Sequence, residues 1–208
     1  WTPDAAAALK RGGAEILLVP NGSPYEKDKL VERQDIAGAR VAETGLPLAY
    51  VNQVGGQDEL VFDGGSFVLD ARGECVVQAK CWEEDAVIVP LPLAGGVRGG
   101  LVQLEDTLNK ESTIYHALML GLRDYVTKNN FPGVVLGMSG GIDSALVAAL
   151  AVDALGADKV WAVMMPSPYT SRDSIDDATA MTKILGCRFD TIPITPMMKS
   201  FDDALGKI

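Results

Sequence analysis

Along the chain, apolar positions recur first with a helical spacing and then in short β-branched runs, and each change of period marks an element. Thr2-Pro3 followed by Asp4 to Arg11 predicts a helix with proline in its first turn, an acid early, bases late and Gly12-Gly13 at its stop. Ala14 to Pro20 predicts a buried strand, and Asn21-Gly22-Ser23-Pro24-Tyr25 turns the chain at its carboxyl end. A longer helix is expected from Lys27 to Glu43, with Leu30, Ile36, Ala37 and Val41 among charges, and Leu48 to Asn52 as the next strand. Val61 to Leu69 leads into a hairpin turned by Asp70-Ala71-Arg72-Gly73, and Val76 to Ala79 and Ala86 to Val89 are the last strands expected in this half.

Pro90 to Gly100 is rich in breakers and predicts a linker between domains. Beyond it the pattern changes to alternating helices and short apolar strands. Glu111-Ser112 opens a helix through Lys128, with Ile114, Leu118, Leu122 and Tyr125 predicted on one stripe; His116, off that stripe, receives no role. Val134 to Leu136 is a strand opened by Pro132-Gly133, and Ser144 to Leu155 a helix closed by Gly156. Val160 to Met165, a helix from Ser174 to Leu185 with Ser174 and Asp177 as a capping pair, and Arg188 to Ile194 complete a βαβαβ unit. Its connections are too long for hairpins, so the sheet should be parallel and doubly wound, with ligands at the carboxyl ends of the strands.

Composition narrows the class. An apolar fraction of 48% across 208 residues suits a soluble globular protein and not a disordered one. The net charge of −10 argues against nucleic acid as a partner, and no apolar run has the length of a membrane span. Cys75, Cys81 and Cys187 are odd in number and lack C-x-x-C spacing, which argues against a disulfide frame or a zinc site and favours the cytoplasm. The start at Trp1 and the stop after a third strand lead us to expect further sequence on both sides.

The chemistry concentrates in Gly137-Met138-Ser139-Gly140-Gly141-Ile142-Asp143-Ser144, between a strand and a helix. The P-loop pattern fails because Asp143 stands where lysine is needed, and the dinucleotide fingerprint fails at Ser139. Successive N–H groups at Gly140, Gly141 and Ile142, with the Ser139 and Ser144 hydroxyls, can converge on an anion at the positive helix end. Asp143 is placed to hold a cation against phosphate. The hexapeptide S-G-G-x-D-S resembles the pyrophosphate loop of the ATP pyrophosphatase superfamily, which implies cleavage of ATP between the α- and β-phosphates to adenylate a substrate.

The order of elements before the linker, with Asn21-x-Ser23-Pro24 and Phe62-Asp63-Gly64-Gly65-Ser66 in place, resembles the carboxyl-terminal half of a nitrilase-superfamily amidase. That resemblance implies amide hydrolysis by a Cys nucleophile, a Glu base and a Lys oxyanion stabiliser, all upstream of Trp1; the Cys would stand about four residues earlier, in a C-E-D-[IM]-[WF] motif whose aromatic position Trp1 matches. No catalytic residue of that reaction is therefore assigned within the chain. The same resemblance implies that Ser23 and Lys29 bind the amino-acid end of glutamine; Lys29 read alone is equally a solvated first-turn lysine.

Gly137 to Ser144, Met164 to Ser171, and Ser174 with Asp176-Asp177-Ala178 resemble the synthetase domain of NAD synthetases, in the glutamine-hydrolysing form because of the amidase-like half in front. The resemblance implies a ligase of NAD biosynthesis that takes ATP, Mg²⁺, glutamine and nicotinic acid adenine dinucleotide, and forms a homo-oligomer when full length. It places residues 1–94 in a nitrilase-like glutaminase domain, 95–112 in a linker and 113–208 in an adenine nucleotide α-hydrolase-like domain. Gly137 to Ser144 would hold ATP, Asp143 the metal, and Met165 or Met164 the adenine, the alternative for both methionines being core filling. The segment by itself is expected to be inactive. Two other readings stay open: another S-G-G-x-D-S adenylating amidotransferase or tRNA-thiolating enzyme, and a segment that only binds nucleotide.

Overall fold

The computed structural model describes residues 3–89 and 109–206. The chain divides into two compact units, 1–121 and 122–208.

The first unit begins with α1 (Pro3–Arg11), β1 (Leu17–Asn21), α2 (Lys29–Thr44) and β2 (Leu48–Asn52), all close to the positions the periodicity predicts. Gly45 stops α2 in the left-handed region at φ +63° and donates its N–H to Val41 O, a conformation that costs glycine little. β1 and β2 pair in parallel through the α2 crossover. Next come β3 (Val54–Gln57), β4 (Leu60–Asp63), β5 (Phe67–Leu69) and β6 (Cys75–Gln78). β5 pairs antiparallel with both β2 and β6, giving the order β1-β2-β5-β6, while β3 and β4 form a separate hairpin. Ala37 and Val41 of α2 and Ala6 of α1 close over Leu17, Leu48, Tyr50, Phe67 and Leu69. Tyr50 and Phe67 stack with centroids 4.9 Å apart. Burying such a ring pair is worth several kcal/mol in area alone, about 1.5–3 kcal/mol per large side chain.

Two expectations fail here. Ala86 to Val89 is not a strand: it is irregular, with Ile88 95% exposed. The Asp85 carboxylate accepts the N–H groups of Lys80 and Ala86, and such local bonds compete with a ladder. The β3–β4 hairpin was not anticipated, because Gly55-Gly56 carry no side chains to set a period of two. The linker predicted at Pro90 to Gly100 lies outside the described residues.

Helix α3 (Lys110–Lys128) begins in the first unit and ends in the second. Its predicted stripe is corrected. Ile114, Leu118 and Tyr125 are 47–54% exposed, whereas Ala117, Leu120 and Val126 are buried. A Cβ on Gly121 would lie 3.2 Å from Val61 Cγ2, so the small side of the helix faces β4.

The second unit is a parallel sheet of order β7-β8-β9: β7 (Val134–Gly137), β8 (Val160–Met164) and β9 (Arg188–Thr191). α4 (Ile142–Leu155) and α5 (Arg172–Leu185) make the crossovers, and α6 (Thr195–Leu205) follows. Ala148 of α4, Ala162 of β8 and Ala178 of α5 meet with Met138 and Met164, and these small residues bring helices and sheet close together. The Arg188 guanidinium lies 3.8 Å over the Trp161 ring. The parallel α/β class read from the sequence is the observed one. The N-cap of α5 is Ser171, whose Oγ accepts the Ser174 N–H, and not Ser174 itself. No helix among the described residues is long and apolar enough to cross a membrane.

Candidate functional site

The turn between β7 and α4 is shaped by its glycines. Gly140 holds φ +81°, and a Cβ there would lie 2.2 Å from Ser174 O, so only glycine lets the loop rest on the first turn of α5. Gly141, extended at φ −87°, is the N-cap of α4 and offers no side-chain cap. The serines fill that gap. Ser144 Oγ donates to Gly141 O at 2.9 Å and accepts the Ser139 N–H at 3.2 Å, and the two hydroxyl oxygens stand 3.1 Å apart. With the Ser144 proton committed to Gly141 O, Ser139 Oγ donates to Ser144 Oγ and accepts the Gly141 N–H at 3.2 Å. An oxygen acceptor thus sits on a loop N–H at the positive end of a 14-residue helix. That is the environment a phosphate oxygen takes.

Of the residues assigned to nucleotide, Gly137, Ser139, Gly140, Gly141, Ile142, Asp143 and Ser144 form this turn and the start of α4. Met138 does not face it. Its side chain is 2% exposed in the core and its N–H donates to Val163 O, so it anchors the loop to the sheet. Met164 is likewise core, while Met165 is 53% exposed at the end of β8, beside Gly137. Asp143 is an exposed carboxylate in the first turn of α4, and no group of three or more His, Cys, Asp or Glu side chains assembles among the described residues. One carboxylate beside a phosphate-type cradle fits Mg²⁺, which keeps waters and draws its other ligands from phosphates.

In the first unit, Lys29 reaches an open pocket of about 160 Å³ lined by Tyr25, Leu30, Cys81, Trp82 and Thr113. Its ammonium stands 3.0 Å from Glu32 and 3.7 Å from Glu26, and the hydrogen bond to Glu32 raises its pKa above that of a free lysine. Trp82, bulky yet at φ +70°, packs edge-on to Tyr25 with centroids 5.0 Å apart and lies 6.2 Å from the His116 ring. Tyr25 Oη donates to Thr113 Oγ1 at 3.1 Å.

Ser23 is held differently. Its hydroxyl oxygen accepts Arg33 Nε–H at 3.1 Å, and its N–H donates to Asn52 Oδ1 at 3.0 Å. Arg33, 4% exposed, forks onto both oxygens of Asp63 at 2.8 and 3.0 Å and onto the carbonyls of Ser23 and Pro24, each at 2.9 Å. Burial pushes the Asp63 carboxyl above the usual carboxylate range, against the pull of that guanidinium. Arg33, Asp63 and Asn52 received no role from the sequence. A signal existed, since Arg33 falls on the stripe Leu30, Arg33, Ala37, Val41 of α2, where a charge needs a buried partner. Cys75 and Cys187 are free thiols.

Residues 1–97 match the carbon-nitrogen hydrolase family and residues 114–207 the NAD synthase family. The glutamine-dependent NAD(+) synthetase of Rhodobacter capsulatus is 49% identical over 212 residues, covering all of this chain and 38% of its own length. That of Xylella fastidiosa strain Temecula1 is 42% identical, with the same coverage. Among solved structures, the glutamine-dependent NAD+ synthetase of Acinetobacter baumannii, in complex with adenosine diphosphate, superposes with a TM-score of 0.83 at 38% identity, over 99% of this chain and 39% of that one. The enzyme from Cytophaga hutchinsonii shares the fold, with a TM-score of 0.78 at 17% identity. The chain spans about 38% of the length of these curated relatives, each of which is a glutamine-dependent NAD(+) synthetase similar to it over the whole of this chain.

Proposed function

We propose that this chain is the part of a glutamine-dependent NAD(+) synthetase that carries the ATP-handling loop and one side of the glutamine pocket. The full-length protein would convert nicotinic acid adenine dinucleotide to NAD with ammonia released from glutamine. The observation that carries the reading is the Ser139 to Ser144 turn, with Gly140 braced on Ser174 and two hydroxyls at the positive end of α4.

A carboxylate is a poor acyl donor because its leaving group would be oxide; adenylation replaces that group with AMP. Departing pyrophosphate concentrates negative charge, and the N–H groups of Gly141 and Ile142 with the helix end are fixed before it develops, so they stabilise it without reorganising. Ser139 and Ser144 exchange their mutual bonds for phosphate oxygens. Mg²⁺, held in part by Asp143, would neutralise charge on the phosphates. Met165, exposed beside Gly137, offers an apolar surface to adenine, and the relative from Acinetobacter baumannii, solved with adenosine diphosphate, supports an adenine nucleotide here. Lys29 supplies a fixed cation for the carboxylate of glutamine. We further propose a cytoplasmic homo-oligomer with neither nucleic acid nor membrane as partner, and a domain division at 1–94, 95–112 and 113–208.

The test is calorimetric titration of ATP with Mg²⁺ into the 208-residue chain, beside NAD synthesis assays on the same preparation. Magnesium-dependent binding without glutamine hydrolysis or NAD formation is expected. Turnover by the chain alone, or binding indifferent to the metal, would overturn the assignment.

A further inference from the structure

Arg33 makes more bonds than a structural ion pair needs. A guanidinium has five N–H donors in one plane. Here Nε serves the Ser23 hydroxyl, Nη2 serves the carbonyls of Ser23 and Pro24, and Nη1 serves both oxygens of Asp63. Three of its five acceptors belong to the two residues of the turn that leads to Lys29. The group lies within the unit, at 4% exposure, where a bond to a charged donor is strong and an unmet acceptor is costly. Asn52 closes the turn from the other side, accepting the Ser23 N–H and donating Nδ2–H to Ser23 O at 3.2 Å and Gly64 O at 3.1 Å.

The arrangement sets the polarity of Ser23. Its oxygen already accepts from a cation, so its remaining strong capacity is to donate O–H. We infer that Arg33, with Asn52, is a positioning residue for glutamine: it clamps Ser23-Pro24 and leaves the Ser23 hydroxyl as a donor, complementary to a carboxylate, on the turn that precedes Lys29. The inference rests on the reading that this turn binds glutamine. Arg33 touches no substrate; it acts through Ser23.

The experiment uses full-length enzyme carrying this segment, assayed for NAD formation with glutamine and, separately, with ammonium. Arg33→Lys keeps a cation opposite Asp63 but has one ammonium in place of the planar fork, so it cannot serve all five acceptors. The expected result is a KM for glutamine raised about tenfold or more, with ammonium-driven turnover within about twofold of wild type. An unchanged KM for glutamine overturns the role. Should ammonium-driven turnover also fall, the decision passes to Asn52→Ala, which leaves the buried charges intact: a raised KM for glutamine supports the clamp and an unchanged one ends it. Wild-type enzyme that forms no NAD from glutamine would remove the underlying reading, whereas an intact wild type beside an indifferent Arg33→Lys removes only the clamp.

Discussion

In the first unit the turn before Lys29 is held by a buried charge; in the second the turn before α4 is held by backbone shape. Arg33 reaches out from inside α2 and saturates the turn with side-chain bonds that water does not contest. Gly140 makes no side-chain bond at all, and its loop keeps its course because one atom more would strike Ser174 O. The hydroxyls of Ser139 and Ser144 lie at the exposed side and bond mainly to each other and to the loop. A guanidinium network is costly to disturb and suits a turn that keeps one shape. Weak, exchangeable hydroxyl bonds suit the proposed handing over of this loop's polar groups to an incoming anion.

The contrast can be broken most strongly at Asp63. Asp63→Ala strands Arg33 as an unpaired buried cation and is expected to lower stability by about 3–5 kcal/mol, measured by urea unfolding. The pH dependence has a definite sign. Because the folded carboxyl has the higher pKa, the folded state binds the proton more readily than the unfolded chain, so its contribution is fullest below the ordinary value of 3.8 and declines as pH rises through the raised one. The stability advantage of wild type over Asp63→Asn should therefore shrink as pH rises across that window; an advantage that grows would show that the Arg33 attraction outweighs burial.

Gly140→Ala comes next. It demands φ +81° from alanine and places Cβ against a backbone carbonyl, so ATP affinity is expected to fall about 100-fold by calorimetry, with little change in the unfolding of the first unit. Asp143→Asn should weaken ATP binding about tenfold in the presence of Mg²⁺ and change it little in EDTA, separating a metal role from a loop role. The smallest effect concerns the thiols. Burial raises the pKa of Cys75 and Cys187 above 9.0, so at pH 8 they hold less thiolate than a free cysteine and should react slowly with a disulfide reagent until urea exposes them.

How much of this was legible followed from where the physics is local. α1, α2, β1, β2, β7 and β8 carry their signals within their own residues: a proline or acid at the start, a glycine at the stop, one unbroken period between. The Ser139 to Ser144 loop is legible for the same reason, since the groups proposed to meet an anion are its own backbone N–H groups and hydroxyls. What was lost depended on partners distant in sequence. On α3 the buried residues are Ala117, Leu120 and Val126 and not the richest apolar stripe, and Val61 of β4, distant in sequence, lies beside Gly121. β3, with Gly55-Gly56 at its centre, is defined by its pairing with β4 opposite. Ser23 looked like a free binding hydroxyl because nothing nearby in sequence announced that Arg33, Asn52 and Asp63 would converge on its turn.

Two of the three tryptophans of the chain fall one in each unit, and each has a chemically distinct neighbour. Trp82 packs on Tyr25 at the pocket that Lys29 enters, and Trp161 lies under the cation of Arg188 in the central strand of the parallel sheet. An indole is an emitter whose yield and colour depend on such neighbours. These two tryptophans are optical gauges, one at the pocket that Lys29 enters and one in the parallel sheet. Replacing Trp1 together with either of these two by phenylalanine would let the other report on its own half without an attached dye.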